Sequence, residues 1–193
     1  METREKILKA AIRLFSVHGV DGVSMRAVAA RVGVTPMALY RHFNDKEALI
    51  DALVSDALDA WAARVKAVKA PRALDWIHRV NDCFLDFALN EPRRFEAAFL
   101  LSSRSARRFP NDFAAGRSPV AQMMVPKIEE AMAGRRVEGA SALEIWFTIW
   151  ALTQGLITLH RAGRFAGDEK EFRALYRRAT QRCLQSFMTD EKK

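Results

Sequence analysis

Between Thr35 and Lys46 the chain gathers Thr35, Pro36, Met37, Tyr40, Arg41, His42 and Lys46. Hydroxyls, a guanidinium and an ammonium at this spacing suit hydrogen bonding to phosphates and to base edges. No catalytic constellation stands beside them. The four histidines are His18, His42, His78 and His160. None is paired at i, i+4 for a metal, and no nucleophile motif surrounds a serine or cysteine. Neither catalytic residues, a metal site nor a cofactor is therefore expected. The formal net charge of +8 and a pI near 9.9 favour a polyanionic partner, nucleic acid first. A membrane surface fits less well, because no terminal helix is strongly basic on one face and strongly apolar on the other.

The elements that must position these residues read as helices. With 193 residues, 50% hydrophobic and 28% charged, the chain is long enough to bury a core without metals or disulfides. Apolar residues recur at helical spacing nearly everywhere and no run alternates strictly, so the fold class expected is all-α, with about nine helices. The first helix starts near Thr3, carries Ile7, Leu8, Ala11, Leu14 and Phe15 on one stripe, and stops at Gly19. Ser24 caps a short second helix that ends at Gly33. Thr35 caps a third, with Pro36 in its first position, running to about Phe43. Asn44, with Glu47 three residues later, has the form of a capping box opening a long fourth helix. A fifth covers about 72–89 and a sixth begins at Pro92. An arginine-rich loop, 102–117, holds Arg104, Arg107, Arg108 and Arg117; the first three read most simply as solvated, or alternatively as attracting an anionic ligand. Ser118-Pro119 opens the seventh helix, and Gly134 and Gly139 bracket a turn. Ser141 and Glu144 form a capping box for the eighth, which ends near Gly163; the ninth runs from about Glu169 to Met188.

Two short helices joined by Val32-Gly33-Val34-Thr35 have helix-turn-helix form, in which the second helix enters the major groove. At about 100° per residue, Leu39 and Phe43 share an arc of about 40° and must face a core. Met37 and Arg41 then point outward, flanked by Ala38 and Tyr40. Met37 and Arg41 are candidates for base edges, Met37 through a thymine methyl; Tyr40 reaches a phosphate. The helix N-termini capped by Ser24, by Thr35 and by Asn44 or Asp45 favour anions. Lys46 opposes the helix dipole where it stands, and makes more sense as a phosphate anchor. Without a ligand, the same geometry describes a small helical subdomain.

The stretch Ser24 to Leu49 resembles the signature of the TetR family. The matching features are Ala29, Gly33-Val34, Leu39-Tyr40-Arg41-His42-Phe43 and Lys46-Glu47-Ala48-Leu49. The resemblance implies a transcriptional regulator, more often a repressor than an activator. It implies phosphate contacts from Ser24, Thr35, Tyr40, His42 and Lys46, and a guanine read by Arg26. It divides the chain into a DNA-binding domain, 1–46, and a helical ligand-binding and dimerisation domain, 47–193. The segment Ile149 to Ile157 also resembles a Trp-x-x-x-His-Gly pattern of one branch of the family, with Gln154 in place of the histidine.

The eighth helix is apolar around most of its circumference. Trp146, Trp150, Gln154 and Ile157 lie on one arc; Thr148, Leu152, Gly155 and Leu159 lie opposite. A helix with two apolar faces needs two burial partners. The tryptophan arc is expected to face the subunit core and the Gly155 arc a second subunit, helped by Leu175, Ala179 and Cys183 of the ninth helix. The family architecture implies the same homodimer. Trp76, Val80, Phe84, Phe87, Phe99, Met123, Met124, Trp146 and Trp150 read either as ordinary core or as the lining of a cavity for an apolar or aromatic ligand, with Gln154 supplying a hydrogen bond. The resemblance implies the cavity. Arg173, Arg177, Arg178 and Arg182 read as a solvated face, and Cys83 and Cys183 as small core residues.

Two other classes compete. An all-α enzyme leaves the helix-turn-helix unexplained. A sequence-non-specific architectural protein needs a broad basic surface, yet residues 1–50 hold eight basic side chains against five acidic ones, a net of +3. The expectation is a repressor that binds a palindromic operator as a homodimer and answers to a small effector. The charged start, Met1 to Lys6, lacks the apolar run of a signal peptide, and the longest uncharged apolar run, Ile145 to Leu159, is short for a bilayer, so a cytoplasmic location is expected.

Overall fold

The computed structural model describes residues 3–133 and 139–187. Among them are ten α-helices, one 3-10 turn and no strand. The helices are α1 (Thr3–His18), α2 (Met25–Val32), α3 (Pro36–Tyr40), α4 (Lys46–Ala67) and α5 (Ala73–Asn90), then α6 (Pro92–Phe99), α7 (Asn111–Ala114), α8 (Pro119–Met132), α9 (Ala142–Arg161) and α10 (Glu169–Ser186). The tenth arises because the arginine-rich stretch contains α7. Gly134 and Met188 lie outside the described residues.

Two compact units divide the chain. One comprises Met1–Trp61 and Asn90–Ala106, the other Ala62–Leu89 and Arg107–Lys193. In the first, α1 packs on α2 and α6, and α2 on α3. Its core is Ile7, Ala11, Phe15, Val28, Leu39, Leu49, Leu53 and Phe95, each at most 2% exposed. In the second, α9 packs against α8 and α10. Ile77, Phe87, Ile128, Ile145, Phe172 and Tyr176 are among its most deeply buried side chains. The Tyr176 hydroxyl donates to the Asn81 backbone oxygen at 3.0 Å, tying α10 to α5. Arg173 and Arg177 pair with Asp86 at 2.6 Å and Asp82 at 2.8 Å, also across α10 and α5. Arg177, Arg178 and Arg182 are solvated as expected, whereas Arg173 is half-buried. Cys83 and Cys183 are half-buried free thiols, and burial pushes both pKa values up.

Helix ends follow local chemistry. Ser141 and Glu144 make the expected reciprocal capping box on α9, and Asp168 and Glu171 make a second on α10. Two expectations are corrected. The third helix stops at Tyr40 rather than near Phe43, because its last turn tightens: the His42 and Phe43 amides both donate to the Leu39 oxygen. Of the two caps expected for α4, Asn44 or Asp45, it is Asp45 that serves, which corrects the capping box read from Asn44 and Glu47. The helix begins one residue later than expected, so Ala48 rather than Glu47 occupies the third position, and its amide donates to Asp45 Oδ1 at 2.6 Å.

Candidate nucleic-acid interface

Three local devices fix α2 and α3. The Ser24 Oγ accepts the Ala27 amide at 3.1 Å. Gly33 takes φ 76°, a left-handed conformation that closes α2 with the Gly33 and Val34 amides on the Ala29 oxygen. Thr35 Oγ1 accepts the Ala38 amide at 3.2 Å, with Pro36 at the first helical position. Both hydroxyls use lone pairs for the cap and keep their O–H to donate, so capping and phosphate binding are compatible.

Below α3, Leu39 is fully buried and Phe43 is 3% exposed. The Arg4 guanidinium lies 4.8 Å over the Phe43 ring. Above it, Met37 is 72% and Tyr40 45% exposed, two of the few large apolar side chains left in solvent. Arg41 and His42 are exposed as well, as are Ser24, Arg26, Thr35 and Pro36; Ala38 and Lys46 are half-buried. Met25 turns inward at 7% exposure, so Arg26 points out beside a buried neighbour. An exposed methionine and arginine on a short, doubly pinned helix form a surface that can enter a groove.

The start of α4 carries an ion cluster that sequence reading missed. Arg104, expected in a solvated loop, sets Nη1 and Nη2 on the two oxygens of Asp45 at 3.2 and 3.0 Å, and Nε on Asp51 Oδ2 at 3.2 Å. Its backbone amide and the Ser103 hydroxyl both donate to Asp51 Oδ1, at 3.0 and 2.8 Å. The Ala48 amide and Arg104 hold the Asp45 carboxyl below its usual range. At Asp51, burial opposes ionisation but is outweighed by the bonds from Ser103 and Arg104. A second basic group, Lys6, Lys9, Arg13 and Arg31, lines a cleft of about 270 Å³. Arg107 and Arg108 remain exposed, while Arg117 pairs with Asp112 at 2.8 Å.

In the second unit, Trp146 and Trp150 stack with centroids 5.6 Å apart and rings 8° from parallel. Phe113 lies 5.3 Å from Trp146 and 6.1 Å from Trp150, and Phe109 stacks on Phe147 at 4.0 Å. Phe109, Phe113 and Phe147 were not among the expected lining residues. The i, i+4 spacing of Phe109 and Phe113 was the signal, hidden in a stretch read as loop. Trp76, Val80, Phe84, Phe87 and Met124 are buried. Met123 and Gln154 are half-buried. Phe99 belongs to the first unit, 5.1 Å from Phe95 and 6.3 Å from Trp61. Asn81, unremarked in the sequence, is 7% exposed, and its Nδ2 meets no hydrogen-bond partner among the described residues.

On α9, Thr148, Gly155 and Leu159 are exposed and Leu152 half-buried; on α10, Leu175, Ala179 and Cys183 are half-buried. By length and composition alone α9 is long and apolar enough to cross a membrane, and 33% of its apolar window is buried inside the chain.

An all-helical fold with an exposed reading helix on a helix-turn-helix defines a class of DNA-binding regulators. Residues 7–53 match the family described as bacterial regulatory proteins, tetR family, and residues 77–183 match the tetracyclin repressor-like C-terminal domain. The tetracycline repressor protein class A from transposon 1721 of Escherichia coli is 32% identical over 170 residues, covering 85% of this chain and 69% of that protein. A protein of unknown function from Rhodococcus sp. RHA1 superposes with a TM-score of 0.78 at 22% identity, over 98% of this chain and 97% of that one. A putative tetR family transcription regulator from Shewanella sp. PV-4 gives 0.70 at 19% identity, over 97% and 98%. The chain belongs to the TetR family of DNA-binding transcriptional regulators.

Proposed function

We propose that this regulator is a repressor that binds a palindromic operator as a homodimer and is released by a small apolar or aromatic molecule. The observation that carries the reading is the outward face of α3, Met37, Tyr40 and Arg41, held over a buried Leu39. Arg41 and Met37 read base edges, with Arg26 as a third reader. Ser24, Thr35, Tyr40, His42 and Lys46 hold phosphates, and Pro36 and Ala38 complete the surface. Residues 1–46 carry DNA binding and 47–193 effector binding and dimerisation. That functional border falls inside the first unit's segment Met1–Trp61, and α4, Lys46–Ala67, runs on past the end of that segment.

The aromatic group around Trp146 and Trp150 supports an apolar effector, and the tetracycline repressor among the relatives supports an aromatic one. Trp76, Val80, Phe84, Phe87, Met123, Met124 and Gln154, all of the same unit, are the further lining residues assigned; Phe99, in the first unit, is not kept among them. The exposed arc of α9 supports the dimer. A ligand shifts operator affinity only by its differential affinity for two conformations. The test is a screen of apolar and aromatic compounds by tryptophan fluorescence, followed by operator affinity with each hit. Hits that quench fluorescence and weaken operator binding are expected; tight binders that leave operator affinity unchanged defeat the effector reading.

Base reading has its own test. Selection of preferred sites from a random duplex library should give a relaxed half-site for Arg41→Ala, because one good arginine–base pair contributes about 1–3 kcal/mol of discrimination. An unchanged half-site means that Arg41 reads no base.

A further inference from the structure

We propose that Arg104 is a positioning residue for DNA binding, keeping the start of α4 receptive to a phosphate by neutralising Asp45 and Asp51. This rests on the phosphate contact proposed above for Lys46. The first turn of a helix attracts anions through its free amides and dipole. Here the Asp45 carboxylate already sits on that turn, and Asp51 stands in the next. Two carboxylates beside Lys46 repel a phosphate within a Debye length, about 10 Å at 0.1 M salt. Arg104 brings a guanidinium from the loop after α6 and spends three N–H donors on the pair, both oxygens of Asp45 and one of Asp51. Its own amide and Ser103 complete the enclosure of Asp51.

Stability does not account for the arrangement. The Arg104, Asp45 and Asp51 side chains are 56%, 42% and 24% exposed, and pairs so placed contribute little to folding. Their location accounts for it. The compact unit that carries the helix-turn-helix also contains residues 90–106, so a distant stretch of sequence is folded onto the start of α4.

The test measures operator affinity by fluorescence anisotropy at low and high salt for four variants. Arg104→Ala should weaken binding roughly three- to ten-fold at low salt, the gap narrowing as salt rises. Arg104→Lys, which keeps the charge, should retain most of the affinity. Combining Arg104→Ala with Asp45→Asn and Asp51→Asn should restore binding, since asparagine still accepts the cap bond while both negative charges are gone. Lys46→Ala should weaken operator and random DNA alike and lower the salt slope by roughly one. A silent Lys46→Ala defeats the phosphate reading of Lys46; a silent Arg104→Ala overturns this proposal whatever Lys46 does. A triple variant as weak as Arg104→Ala also overturns it, because the clamp then acts by shape and not by charge.

Discussion

Gly155→Arg should leave a folded chain that no longer dimerises, with operator affinity about 10²- to 10⁴-fold lower, the factor that a second linked binding event contributes. Gly155 lies on the exposed arc of α9 with Thr148 and Leu159, the last 54% exposed. A Cβ built at Gly155 meets nothing within 4 Å, so the chain itself accommodates a side chain there. Replacing a helical glycine also raises intrinsic helix propensity by about 0.5–1 kcal/mol. Any loss must then come from a second molecule. In the proposed dimer, that glycine lets α9 approach its partner closely, and an arginine there holds the helices apart and buries an unpaired charge. Sedimentation gives the mass, circular dichroism the helix content and anisotropy the operator affinity. A variant that still sediments as a dimer removes the α9 face from the interface. A monomer with unchanged operator affinity removes the need for two half-sites.

The parts of the fold that the sequence made legible are those set by chemistry within a few residues. Ser24, Gly33 and Thr35 announce the turn because caps and left-handed glycines act over three or four positions. Leu39 and Met37 separate by helical period alone, and the structure places them at 0% and 72% exposure. The box of Ser141 and Glu144 placed α9, and the same logic applied to Asp168 and Glu171 fixes α10. What escaped depends on partners far along the chain. Arg104 reads as one arginine among several in a loop, and its carboxylates lie 53 and 59 positions away. Arg173 and Arg177 find Asp86 and Asp82 across two helices for the same reason. A four-residue helix such as α7 has too few positions to show a period. The membership of α6 in the first unit, although the end of α4 and nearly all of α5 intervene, is tertiary information with no local trace.

Leu39→Ala should cost about 2–5 kcal/mol, the range for removing a buried leucine, and should lower operator affinity through loss of the reading surface. The helix that presents Met37, Tyr40 and Arg41 has five residues, far too few to persist alone. Its cap at Thr35 and its proline at Pro36 define where it begins, but neither holds it against the rest of the unit. Leu39 does, with no exposed surface, and its oxygen receives the His42 and Phe43 amides that close the turn toward α4. Truncation leaves a void under the groove-facing side and frees α3 to tilt. Thermal unfolding measures the first consequence and operator anisotropy the second. Arg41→Ala is the control, since it removes an exposed side chain and should leave the melting temperature nearly unchanged while altering site choice. If Leu39→Ala melts like the parent chain, α3 is held by something other than its buried face. If it is destabilised yet binds operator with parental affinity, the outward face of α3 is not the reading surface.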